Sequence, residues 1–395
     1  KGAGDRMIAK NELDKILSEN VLGFWQRRMV DDEQGGFYGR IDGHGQLHPQ
    51  ADKAIILNTR ILWTFSAAFQ LTRDPLHKQM ADRAYRYILD HFMDQEAGGV
   101  YWTVDYTGKV VSDKKQVYAQ AFAIYAFSEY YKIAPQSQAL KHAVTLYNLL
   151  ETHSLDKKDN GYLEAFDRQW GELSDVRLSD KDMNATKTMN THLHVLEAYT
   201  NLLMVWDDSG LRERLKNLIE LMSTRFISAS DHFNLFFNNQ WELQSHEISF
   251  GHDIEGSWLL CEAAEVHGEA ALITSTKALA IRMTGASLEG MDEDGGLMNE
   301  AGPEGLTDTD KHWWPQAEAL VGLVNAWQIT ADERYLTQAD KTWSFIKARL
   351  IDPKGEWHWR VTRAGQVILD EDKAGPWKCP YHNGRALLEL RKRLS

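Results

Sequence analysis

Two cysteines, Cys261 and Cys379, are all that the 395 residues contain. So few thiols offer no disulfide framework and make a reducing compartment the expectation. Runs of lysine and arginine are missing too, and the formal net charge is −13. That balance speaks against nucleic acid or an anionic membrane as partner and favours a small neutral or polar ligand. No apolar run approaches the length of a bilayer span, and the opening "KGAGDRMIAKNELDKI" lacks the apolar segment of a secretion signal. A cytoplasmic monomer is expected, with residues 1–6 as an extraneous or disordered N-terminus. What is plentiful is tryptophan, 14 residues, within an aromatic content of 11%. Core packing alone seldom needs that much, so surfaces that stack on a ligand are anticipated.

The chain repeats. "DDEQGGFYGRIDGHGQL" (31–47) is echoed by "DQEAGGVYWTVDYTGKV" (94–110) and "DKKDNGYLEAFDRQWGEL" (156–173). Weaker echoes follow at 232–243, 292–305 and 352–368, so one unit recurs six times at roughly sixty-residue spacing. Each reads as Gly or Asn turn chemistry followed by alternating apolar and polar residues, the pattern of a hairpin. Paired helical periodicities lie between them, and twelve helices are predicted: 7–28, 52–72, 76–93, 116–132, 136–153, 185–206, 209–226, 253–267, 269–289, 310–328, 332–349 and 382–394. Alternate members, such as "AQAFAIYAFSEYY", are apolar nearly all round, whereas their partners are amphipathic. An inner ring of six helices wrapped by an outer six satisfies this alternation. The expected fold is therefore all-α, an (α/α)6 barrel forming a single catalytic domain, with short hairpins at one end. An open solenoid of helix pairs is the alternative.

Candidate chemistry sits on the inner helices. In "MNTHLHVLEAYTN" Asn190, His194, Glu197 and Asn201 fall on one stripe, while His192 points with Val195, Leu196 and Tyr199. His194 should face the lumen, and His192 should be hydrogen-bonded within packing. "FGHDIEGSWLL" places His252 and Glu255 three apart with Trp258, a further expected substrate-binding residue, nearby, and a carboxylate beside an imidazole fixes its tautomer. The spacing is not H-E-x-x-H, so no metal is expected. "KHWWPQAEAL" supplies Trp313, Trp314 and Glu318, and "GPWKCPYHNGRAL" supplies Trp377 and His382. Arg60, a lone cation on an apolar helix, must pair with a carboxylate or face a polar cavity.

"MNTHLHVLEAYTNL", "HDIEGSWLL", "WWPQAEALVG" and "KCPYHNGRALLEL", in this order, resemble the N-acylglucosamine 2-epimerase superfamily, most closely its cellobiose 2-epimerase branch. The resemblance spans essentially the whole chain. It implies an (α/α)6 barrel that inverts C2 of the reducing-end glucose in β-1,4-linked disaccharides without a cofactor. It also implies that His252 and His382 exchange protons with support from His194, that Arg60, Asn190, Glu255 and Glu318 are polar pocket residues, and that Tyr118, Trp314 and Trp377 are aromatic ones. On this reading Glu255 orients His252, and Arg60, Asn190 and a protonated His194 stabilise an enediolate. Aldose–ketose isomerisation of free mannose or glucose, N-acylglucosamine epimerisation, glycoside hydrolysis and non-catalytic sugar binding are the competing functions.

Overall fold

The structure, a computed structural model, describes residues 8–395; the expectation for residues 1–6 lies outside them. Twelve helical stretches appear where twelve are predicted. Helix α1 runs Lys10–Lys15, continues through a π-helical segment Ile16–Leu22 and ends with Gly23–Arg28. The others are α2 (Ile55–Thr72), α3 (Pro75–His91), α4 (Val117–Ile133), α5 (Ala139–Leu149), α6 (Met189–Val205) and α7 (Ser209–Thr224). The second half contributes α8 (Phe250–His267), α9 (Ala270–Ser287), α10 (Trp313–Thr330), α11 (Glu333–Phe345) and α12 (Tyr381–Arg393).

Local chemistry explains the alternation. Inner helices end abruptly where a left-handed residue reverses the chain, at Arg73, Gly268 and Ala331. Outer helices start at carboxylate caps: Asp74, Asp208 and Asp332 accept from the backbone N–H groups of Leu76, Leu211 and Arg334. Pro75 then occupies the first position of α3, where a missing N–H costs nothing. The even-numbered helices are buried on nearly every face and pack in the cyclic order α2–α4–α6–α8–α10–α12–α2, so the ring closes. Each odd-numbered helix lies outside an even-numbered one. Closure removes the open-solenoid alternative.

The six repeats form a collar at the end where the inner helices begin. A residue just ahead of an inner helix pairs antiparallel with the next repeat's loop: Lys53 with Val104, Lys115 with Phe166, Lys187 with Phe237, Ile248 with Ala301, Lys311 with Val361. A bridge between Ile41 and Ala374 joins the last repeat to the first. These short strands explain why α2, α6 and α10 start a few residues later than helical periodicity predicts. Lys53–Ala54, Lys187–Thr188 and Lys311–His312 are held extended by the collar.

A buried lysine secures most of these junctions. The Nζ of Lys53, Lys115, Lys187 and Lys311 donates to Asp31 (2.9 Å), Asp94 (2.9 Å), Asp156 (2.7 Å) and Asp292 (2.9 Å) of the adjacent turn. Lys378 makes the equivalent bond to Glu356 at 2.9 Å. All five lysines are 0% exposed, and an ammonium so placed is tolerated only because it is paired and hydrogen-bonded. Five residues further along, Gln120, His192, Asp253 and Gln316 accept from the turn N–H groups of Val100, Tyr162, Phe233 and Leu297. His192 is one member of this set. Its Nδ1 bonds the Thr188 carbonyl at 2.7 Å, its Nε2 accepts from Tyr162 N at 2.8 Å, and it serves packing as expected.

Candidate active site

Because every inner helix starts at the collar, its first two turns project side chains into the mouth of the barrel. Arg60 comes from α2, Tyr118 from α4, Asn190 and His194 from α6, His252 and Glu255 from α8, Trp314 and Glu318 from α10, and His382 from α12. Trp377 lies in the segment leading into α12. The ring of Trp314 sits 4.6 Å from that of His252 and 5.3 Å from that of His382, bringing the two histidines to one indole. On the other side Tyr118 touches His194 at 5.0 Å and Trp377 at 5.8 Å between ring centres. Trp377 then meets Trp102 at 6.0 Å, and both line a cleft of about 400 Å³ at the mouth together with Ile56, Lys114, Arg177 and Ser179.

The two histidines are anchored alike but by different partners. His382 donates from Nδ1 to Glu318 Oε2 at 2.6 Å, which leaves Nε2 without a proton and available as a base. His252 places Nδ1 2.7 Å from the Ser249 hydroxyl, a group that can donate or accept, so Nε2 is the ring nitrogen outside this bond. Burial pushes His382 well below the usual imidazole value, and burial with the nearby His194 and His382 takes His252 down to about 3. Burial likewise lowers His194, whose Nδ1 lies 3.7 Å from Glu197 Oε1.

Two expectations are corrected here. Glu255 does not orient His252. Its Oε2 lies 3.0 Å from Arg385 Nη2 and 3.6 Å from His382 Nδ1, because a buried carboxylate is drawn to the guanidinium rather than to a neutral imidazole. Trp258 does not line the pocket: it is 1% exposed and stands behind Glu318, donating from Nε1 to Glu318 Oε1 at 3.0 Å. A protonated His194 is also disfavoured by its burial.

Arg385, three residues beyond His382, is absent from the sequence-based candidates and lies at the centre. Its guanidinium meets Glu197 (2.7 Å), Glu255 (3.0 Å) and Glu318 (2.9 Å), carboxyls from three different inner helices, and also Tyr381 Oη. Burial would raise Glu197, but Arg385, His194 and Tyr381 hold it down to about 2. Burial and the neighbouring Glu318 push Glu255 well up, against the opposing pull of Arg385. Its Oε1 has no partner among the described residues. Oxygen and nitrogen atoms of Glu255, Glu318 and His382 converge within 4.8 Å, a spacing a cation could use, but the Arg385 guanidinium supplies the positive charge there.

Arg60 resolves differently. No carboxylate lies within ion-pair distance of it among the described residues. Nη2 donates to Tyr118 Oη at 2.8 Å, Nη1 reaches Cys379 Sγ at 3.5 Å, and the Phe122 and Tyr381 rings flank it at 4.5 and 4.8 Å. Among the described residues, neither Arg60 Nε nor Asn190 Oδ1 has a hydrogen-bond partner, and the nearest carboxylate to His194 Nδ1 is the 3.7 Å contact with Glu197. Buried polar atoms left unpaired are costly, and their grouping around one lumen is what a hydroxyl-rich ligand would satisfy.

Comparison with known proteins agrees with this geometry. Residues 36–386 match the N-acylglucosamine 2-epimerase (GlcNAc 2-epimerase) family. The chain is 48% identical over 386 residues to a cellobiose 2-epimerase of Bacteroides fragilis, covering 97% of this chain and 98% of that one. The solved cellobiose 2-epimerase of Bacillus thermoamylovorans B4167 superposes with a TM-score of 0.92 at 41% identity, over 97% of this chain and 99% of that one. A D-mannose isomerase structure, 23% identical, shares the fold with a TM-score of 0.85 over 99% of each chain. With a closed (α/α)6 ring, neutral histidines around one indole and whole-length similarity to epimerases, the chain belongs to the N-acylglucosamine 2-epimerase family and is an epimerase enzyme.

Proposed function

We propose that the enzyme inverts C2 of the reducing-end glucose of β-1,4-linked disaccharides, turning cellobiose into glucosyl-mannose and lactose into epilactose. The observation that carries this reading is the pair His252 and His382, each hydrogen-bonded at Nδ1 and both packed against the Trp314 indole. The hydrogen at C2 is acidic only when C1 is a carbonyl, so the pyranose must open first, moving a proton from O1 to O5. Removal of the C2 hydrogen then gives a planar cis-enediolate. A proton returned to the opposite face inverts the centre, and two bases on separate helices accomplish what one fixed base cannot. His382 exchanges the proton of the gluco form and His252 that of the manno form. A positioned base of this kind supplies about 10²- to 10⁴-fold.

Charge develops on O1, and a donor already aimed at it stabilises the transition state more than the ground state. Arg60 suits this role because it is buried without a carboxylate to neutralise it; Asn190 adds a neutral donor. Trp314 and Trp377 stack on sugar faces, and the cleft between Trp102 and Trp377 accommodates the distal ring. The site is complete within one chain, which supports a monomer, and no helix among the described residues is long and apolar enough to cross a membrane. Incubation of cellobiose in D2O, followed by NMR, tests the reading: a C2 epimer with deuterium at C2 is expected. A ketose as the main product, cleavage, or no exchange would refute it.

A further inference from the structure

Nothing in the proton transfers above uses Arg385, yet it is 2% exposed and donates to Glu318, the carboxyl that holds His382, at 2.9 Å. Its position is unusual in three respects. It is rooted on the same helix as His382, one turn later, so the two side chains share a face. It donates from Nη2 to both Glu255 and Glu318 while Nη1 is held by Glu197 and Tyr381. Finally, both oxygens of Glu318 are engaged: Trp258 Nε1 at 3.0 Å on Oε1, and Arg385 Nη2 at 2.9 Å with His382 Nδ1 at 2.6 Å on Oε2.

We propose that Arg385 is a positioning residue of the epimerase reaction: its guanidinium clamps Glu318 against His382 Nδ1, fixing the imidazole in the tautomer and orientation that present a bare Nε2 to the sugar. The planar fork matters. A guanidinium holds carboxylates along two edges of one rigid plane, whereas an ammonium is a point charge with no fixed plane to orient them. Without the clamp, Glu318 keeps only Trp258 and the His382 proton as partners and can turn, and His382 loses the fixed acceptor that holds its proton on Nδ1. A purely structural role, knotting α6, α8, α10 and α12 together, would show in stability alone.

The inference rests on the epimerase reading, and the test separates the two. Steady-state epimerisation of cellobiose is measured for wild type, R385K, E318Q and the double variant, alongside thermal unfolding. Expected for R385K is a kcat loss of about a hundredfold with KM within about threefold, because the base survives but is misaligned. Acting through Glu318, the substitution should add less than about threefold to E318Q, whereas independent effects would multiply. Multiplying losses, a kcat within about threefold of wild type, or a change confined to KM or to the melting temperature would overturn the assignment. Should R385K not fold, E197Q loosens the opposite edge of the guanidinium and is put through the same cycle with E318Q. A kcat loss that disappears in E318Q supports the clamp, and unchanged kcat or multiplying losses refute it. No C2 exchange by the wild-type enzyme on either cellobiose or lactose would instead sink the epimerase reading itself.

Discussion

The two histidines proposed to exchange the C2 proton are held by unequal partners, and that inequality predicts how turnover responds to losing each. Consider E318Q first. Glu318 accepts three hydrogen bonds on two oxygens, but glutamine has one oxygen and an NH2 group. With the amide oxygen toward His382 and Arg385, the NH2 confronts the Trp258 N–H, and a buried donor left unpaired costs about 1–3 kcal/mol. With the oxygen toward Trp258, the NH2 confronts Arg385 and the His382 Nδ1 proton. The imidazole then shifts its proton to Nε2 and ceases to be a base, an outcome that in serine proteases lowers turnover by about 10⁴. Either orientation is costly, and a kcat decrease of about 10² to 10³ is expected. S249A differs. It removes one neutral partner from His252 Nδ1 and nothing else, a loss of about 1 kcal/mol, or roughly fivefold in rate. Initial rates of cellobiose epimerisation, with circular dichroism to confirm folding, decide the matter. An S249A defect as large as that of E318Q, or an E318Q enzyme within about fivefold of wild type, would refute the reasoning.

Four further outcomes are expected. Since burial lowers both histidines, His252 to about 3, the acid limb of kcat/KM should lie below the ordinary imidazole value near 6.5: the bases stay neutral as pH falls through 6, and a limb centred at 6.5 or higher would contradict this. D94N should leave the buried Lys115 ammonium facing only carbonyls and cost about 3–5 kcal/mol in denaturant unfolding. Burial would raise the Asp94 carboxyl, but bonds from Arg168 and Lys115 hold it well below the usual range, so this contribution is full above about pH 4 and fades as pH drops further; a loss under about 1 kcal/mol at neutral pH would refute it. W377A should raise KM for cellobiose several-fold with a smaller effect on kcat, measured by product analysis. Exhaustive EDTA treatment should leave the rate unchanged, since Arg385 already meets the carboxylates that a cation would bind.

The architecture was legible because two periodicities coincide. The six turns built on Gly or Asn mark the collar, and the contrast between all-apolar and amphipathic helices sorts inner from outer. Helix starts were misplaced where the collar overrides helical preference: Lys53 and Lys187 continue a helical pattern on paper, but each is tied down by an aspartate from the preceding turn and extended against the next repeat. That signal was present in the sequence, as lysines recurring in phase with Asp31, Asp94, Asp156 and Asp292, and it needed the idea that a buried ammonium requires a specific partner. His194 was found by the same periodic logic that set His192 aside.

Arg385 escapes a reading based on histidines and tryptophans, the groups that would touch a sugar, because it contacts only the protein's own side chains. Charge balance would have revealed it. Glu197, Glu255 and Glu318 all lie on helices apolar enough to be buried on every side, and three carboxyls cannot enter a low-dielectric ring together without a compensating cation or a proton. Arg60 is the obvious candidate on the page, but the structure surrounds it with Tyr118, Phe122 and Tyr381 instead. The positive charges are thereby divided by task. Arg385 is spent on the protein's own acids and organises the base, while Arg60 keeps unspent attraction for charge that arises only when a substrate is deprotonated. R60M should therefore depress kcat/KM by about 10² or more while costing little stability, because no carboxylate is orphaned by its removal. A marked drop in melting temperature with near-normal turnover would show that Arg60 is bound up with the fold and that the oxyanion is stabilised elsewhere.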